Sequence, residues 1–197
     1  MLLRKRLDQG GYSLIELLVV MTLTAMIAVP LVMFSYKGLT SYAFLQAQSD
    51  TSTELSTLSA RIGKVLRGTT GVLSAQPNTV TVYGYFSPAD TVIKKIRYYI
   101  SGNNLVIGVT DPDSAAIPAT YNNNPEKPTI TRVDLAMGSN TMFTYYDDAG
   151  NVLSPGFATS QVRAIGIYVA ANPKAKQLSV PVSLTTRVTL RNFKTNL

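Results

Sequence analysis

Residues 6–29 read RLDQGGYSLIELLVVMTLTAMIAV, and the reading of this stretch decides the fold. It opens basic, passes two glycines and turns apolar, with one acid, Glu16, near the start of the apolar run. From Leu17 through Tyr36 no residue carries a charge. As a helix rising about 1.5 Å per residue, that run spans roughly 30 Å, the hydrocarbon thickness of a bilayer. Arg4, Lys5 and Arg6 precede it, so the positive-inside rule leaves the N-terminus in the cytoplasm and the rest of the chain outside. A secretory signal is cut after its apolar core. Here the small pair Gly10-Gly11 lies before the core, and a cut there discards a short basic leader and keeps the hydrophobic helix.

Two residues go beyond what a plain anchor needs. A carboxylate such as Glu16 costs roughly 2.5–3.5 kcal/mol at the centre of a membrane helix and less near the interface. Pro30 removes the amide that would bond the Met26 carbonyl and tends to kink the helix. A simple span accommodates both, with Glu16 at headgroup level and Pro30 as a tolerated kink, but it gives neither a purpose.

The run GYSLIELLVV (residues 11–20) resembles the prepilin motif of the type IV pilin and pseudopilin family, over about residues 4–38. In that family a cytoplasmic-side prepilin peptidase cleaves after the glycine, here Gly11, and methylates the new first residue. That residue is Tyr12 here, where phenylalanine is usual. Glu16 matches the family's glutamate, and Pro30 its proline late in the apolar segment. The resemblance implies subunit assembly through this helix. Cleavage leaves an α-amine on Tyr12, largely protonated at neutral pH, and N-methylation keeps its charge. Among packed helices that ammonium and the Glu16 carboxylate of a neighbouring subunit offset one another's desolvation. The pair sets axial register, as a single buried polar residue does in a coiled coil. The assembly residues on this reading are Tyr12, Glu16 and Pro30.

After Lys37 the helix is expected to continue in a more polar register. Leu55, Leu58, Ile62, Val65 and Leu66 recur at spacings of three and four, one face of a helix. Asp50, Glu54, Arg61, Lys64 and Arg67 occupy other positions, and Gly68 is the expected stop. A helix from about Ser13 to Arg67 is on the order of 80 Å long. Residues 69–197 read as β-rich. Thr79–Phe86 alternates as a strand, and TVIKKIRYYI and NLVIGVT flank a turn at Ser101–Asn104. TMFTYY precedes an acidic turn, and QVRAIGIYVA and SVPVSLTTRVTLRN supply two strands near the C-terminus, with Pro181 favouring an edge or bulge. Asp111–Lys127 is expected as an exposed loop. Strands without intervening helices predict an antiparallel sheet laid on the amphipathic half of the helix.

The predicted organisation is therefore α+β and pilin-like. A basic leader (1–11) precedes a transmembrane and assembly helix (12–36) and an amphipathic helix (37–68), which packs on a β-sheet head (69–197). FTYYDDAGNVL followed by VRAIGIYV is similar to the heads of larger minor pilins and J-type minor pseudopilins. By that resemblance the chain is a minor, priming or tip-proximal subunit, and Glu16 implies that it stacks on a neighbour's N-terminus. The implied partners are other pilin subunits, the prepilin peptidase and an inner-membrane assembly platform. The implied location is the cytoplasmic membrane, with the C-terminus outside, and then a surface or periplasmic filament.

Chemistry is sparse. The chain has no cysteine and no histidine, which removes disulfides, thiolate and imidazole metal sites and the Ser-His-Asp and Cys-His nucleophiles. No enzyme activity, catalytic residue, cofactor or metal is expected. Asp147-Asp148-Ala149-Gly150-Asn151 offers clustered oxygens, but it lacks the alternating spacing and closing glutamate of an EF-hand, so an acidic hairpin turn is the simpler account. Asp111-Pro112-Asp113 reads as loop punctuation, and the pairs Tyr98-Tyr99 and Tyr145-Tyr146 as sheet and core residues. The net charge is +7, from 18 basic and 11 acidic residues. Beyond Asn172 there are five bases (Lys174, Lys176, Arg187, Arg191 and Lys194) and no acid. An alternative function follows: a head that binds DNA or an anionic surface polymer in uptake or adhesion. Only Phe193 interleaves with these bases, so no stacking platform is marked, and surface charge without a ligand is the simpler account.

Overall fold

The computed structural model of the chain describes residues 13–114, 119–132, 134–172 and 181–191. Helix α1 runs from Leu14 to Arg67 without interruption, across Pro30 and Gly38. The chain divides into two compact units, Met1–Leu45 and Gln46–Leu197.

In the first unit α1 is apolar and bare. Leu14, Met26 and Phe34 are among many large side chains left mostly exposed, because among the described residues no other element packs on this part of the helix. It is the one helix among the described residues long and apolar enough to cross a membrane. So long an exposed apolar surface is stable only in lipid or against other helices.

In the second unit the last turns of α1 are amphipathic. Leu55, Leu58, Ile62, Val65 and Leu66 are all buried, the face that the spacing predicts. Full burial of one such side chain contributes about 1.5–3 kcal/mol. The helix stops at Arg67, and the Gly68 amide donates to the carbonyls of Lys64 and Val65 (3.3 and 3.1 Å). Eight strands follow: β1 Gly71–Gln76, β2 Thr79–Gly84, β3 Lys94–Ser101, β4 Asn104–Thr110, β5 Lys127–Arg132, β6 Phe143–Tyr146, β7 Ala164–Ala171 and β8 Val182–Thr189.

The strands form two antiparallel sheets rather than the single sheet expected: β1-β2-β3-β4-β5 in sequence order, and β6-β7-β8. The break falls between β5 and β6. There the β1–β2 turn receives the second sheet through hydrogen bonds, from the Phe143 amide to the Pro77 carbonyl (2.8 Å) and from the Met142 amide to Asn78 Oδ1 (3.1 Å). The buried Tyr145 hydroxyl donates to the Gln76 carbonyl (2.8 Å) across the same junction. Both sheets share one core with α1, in which Val80, Ile96 and Tyr98 meet Ile62 and Leu66, and Ile165, Ile167 and Val188 complete it. Gly63 allows the close approach of β8, since a Cβ there would lie 3.1 Å from Val188 Cγ2. An ion pair between Glu54 and Arg132 ties α1 to the edge strand β5.

Local chemistry explains the strand limits. β2 ends at Gly84, short of Phe86, because the Asp90 carboxylate captures the amides of Phe86 and Ser87 (2.9 and 2.8 Å). β3 and β4 join through Gly102-Asn103, with Gly102 at φ +60°, the glycine-first arrangement of a type II′ hairpin. Pro181 immediately precedes β8, which is an edge strand.

Candidate functional site

The candidate assembly site is the start of α1. Ser13 is its N-cap: the Glu16 amide donates to the Ser13 carbonyl (3.0 Å) and to Ser13 Oγ (3.3 Å). Ser-x-x-Glu is the sequence signature of such a cap, and it gives Ser13 a capping role that the sequence reading missed. Glu16 therefore lies in the first turn, where its charge complements the positive end of the helix dipole. The side chain is exposed. The helix thus begins two residues past Tyr12. Gly11 and Tyr12 themselves lie outside the described residues.

The hydroxyls of Thr22 and Thr24 are satisfied within the helix. Thr22 Oγ1 donates to the carbonyls of Leu18 and Val19 (3.1 and 2.8 Å), and Thr24 Oγ1 to that of Val20 (2.7 Å). Such bonds let hydroxyls face lipid or another helix at little cost. Pro30 has no amide to offer Met26, so that carbonyl lacks its usual donor. Among these groups the Glu16 carboxylate is the one that carries a charge.

Of the five basic C-terminal residues, Arg187 and Arg191 fall among the described ones. Lys174, Lys176 and Lys194 lie outside the described residues. Arg187 reaches across β7 and stacks on the Tyr146 ring, 4.0 Å from its centroid. Gly166 lies between them, where a Cβ would come within 3.1 Å of that ring. Arg191 is exposed, and its amide donates to the Arg67 carbonyl at the end of α1 (3.5 Å).

The acidic segments are structural. Asp147 accepts from the Asn151 amide (2.7 Å) and from Asn151 Nδ2 (3.1 Å), which hold its carboxyl below the ordinary aspartate range and close a hairpin with Gly150 at φ +89°. Among the described residues no three acidic side chains converge as a metal site would require. Asp111 and Asp113 do more than punctuate the loop. Asp111 bridges Lys127 (2.7 Å) and Lys94 (3.2 Å), and Lys94 also meets Asp90 (3.0 Å). The Asp113 carboxylate accepts three successive amides, from Asn122, Asn123 and Asn124 (2.9, 2.9 and 3.3 Å).

Comparison with known families agrees with the residue-level reading. Residues 6–32 match the model of the prokaryotic N-terminal methylation motif, the prepilin-type signal of type IV pilin precursors. No curated protein matches the chain. The chain thus carries a prepilin-type signal on a pilin-like α+β architecture, one long helix with antiparallel sheets behind it. Its α1 is long and apolar enough to cross a membrane.

Proposed function

We infer that the chain is a structural, non-enzymatic subunit of a type IV pilus or related pseudopilus. It is cut after Gly11, methylated on Tyr12 and assembled through the apolar part of α1 with other pilin subunits at an inner-membrane platform. Before assembly it spans the cytoplasmic membrane once, with Gln46–Leu197 on the far side. In the filament it stacks on a neighbour's N-terminus.

One observation carries this reading. An exposed apolar helix of membrane-spanning length keeps a carboxylate in its first turn, within the matched methylation motif; a cut after Gly11 would put the new amine four residues from it. Two charges brought out of water together tolerate burial, whereas either alone costs several kcal/mol. The test is Glu16→Ala, followed by fractionation of membranes and sheared filaments. The variant is expected to be cleaved and inserted normally but to be missing from filaments. Incorporation equal to wild type overturns the pairing. A bulky residue at Gly11 should leave the leader uncut, read as the mass of the full-length chain.

A further inference from the structure

Resting on the reading of the chain as a filament subunit, we propose that the Asp147–Gly150 turn of one copy docks into a basic groove beside the last turns of α1 in the next copy. The groove is a cavity of about 630 Å³ lined by Arg61, Lys64, Val65, Tyr85, Phe86 and Pro88, among others. Its floor is apolar and its rim is cationic. Arg61 and Lys64 are exposed, and neither has an acidic partner among the described residues. The nearby acids are already engaged: Glu54 by Arg132, Asp90 by Lys94, and Asp111 by Lys94 and Lys127. Arg61 is held in place with its guanidinium 5.4 Å from the centre of the Phe86 ring. The groove therefore offers two exposed cations, Arg61 held by Phe86 and Lys64 beside it, with no acidic partner among the described residues.

Asp148 supplies the complement. It is exposed and makes no hydrogen bond or ion pair among the described residues. Its turn is rigid before any contact forms, because Asn151 grips Asp147 and the Tyr146–Val152 bridge closes the base. Preorganisation of this kind lowers the entropic cost of docking. Asp50 and Asp134 are the other exposed acids of this unit with no ion pair. Asp50 lies on the same helix as the groove, and Asp134 is held in a left-handed backbone conformation at φ 58° beside a buried leucine. The turn follows β6 in the second sheet, the groove lies between α1 and the loop after β2, and no ion pair joins them among the described residues. Two unlike patches that meet between copies make a heterologous contact, the kind that propagates into an open helical filament.

The chain has no cysteine, so introduced thiols report the contact cleanly. Filaments sheared from cells expressing the full chain with Lys64→Cys and Asp148→Cys are treated with a short bis-maleimide and run on denaturing gels. A ladder of multimers is expected from the double variant and none from either single variant. A ladder from Lys64→Cys paired with Asp50→Cys or Asp134→Cys, and not with Asp148→Cys, overturns the assignment of the turn. So do filaments of normal yield that give no ladder. In a second arm, Arg61→Glu with Lys64→Glu should lower filament yield at least about tenfold, since like charges face one another. Adding Asp148→Lys should restore it, which a merely misfolded head would not allow. Failure of the wild-type chain to enter filaments at all is a separate result, and it removes the function on which this contact rests.

Discussion

At the scale of single residues, Ser13 and Glu16 share one helix turn but do different work. Ser13 satisfies the Glu16 amide, and Ser13→Ala should cost about 1 kcal/mol of local helix stability. Filament incorporation should survive that change, measured as the ratio of filament to membrane protein. If Ser13→Ala abolishes assembly as fully as Glu16→Ala, capping rather than charge pairing is what assembly needs. Asp111 is the residue to titrate in the second unit. Hydrogen bonding to Lys127 and Lys94 holds its carboxyl below the usual 3.8. A depressed carboxylate pKa gives stability that is present above the unfolded-state value and lost as pH falls through the folded-state one. Acid melts of the full chain in detergent should therefore show stability declining below about pH 4, with a shallower decline in Asp111→Asn. Equal slopes would mean that the bridge contributes nothing.

At the scale of elements, the amphipathic part of α1 is the member whose loss the core tolerates least. Ile62 is fully buried between the sheets and the helix. Ile62→Ala should cost about 2–5 kcal/mol, a fall in Tm of about 2–4 °C per kcal/mol for a unit of this size. Tyr145→Phe tests the joint between the sheets by removing the hydroxyl that donates to the Gln76 carbonyl. The expected loss is about 0.5–1.5 kcal/mol, and no change in Tm would show that the joint is held by packing alone. The helix face was legible because Leu55, Leu58, Ile62 and Leu66 repeat at a helical period. Strands β3 and β4 were legible because β-branched and aromatic residues flank a glycine turn. Strands β1 and β5 were not. GVLSAQ carries few strand formers, and KPTITR holds a proline and a lysine at the end of a loop-like stretch. Their strand state comes from pairing with β2 and β4, which no local signal announces.

At the scale of the whole molecule, the chain separates assembly from folding. Glu16 belongs to Met1–Leu45 and the shared core to Gln46–Leu197. Glu16→Ala should therefore leave the Tm of the second unit unchanged, read by near-UV circular dichroism in detergent, while filament incorporation is lost. A shifted Tm would show that the two units are coupled. The sequence by itself determined the prepilin-type signal, the long apolar run, the helix and its buried face, since each depends on residues close together in the chain: a motif, a run of fixed length, a period. Only the tertiary structure decided that the strands divide into two sheets, that Arg187 is taken up by Tyr146, and that Arg61 and Lys64 meet no acid among the described residues. Those outcomes depend on which distant side chains meet, and on which charges are spent in meeting.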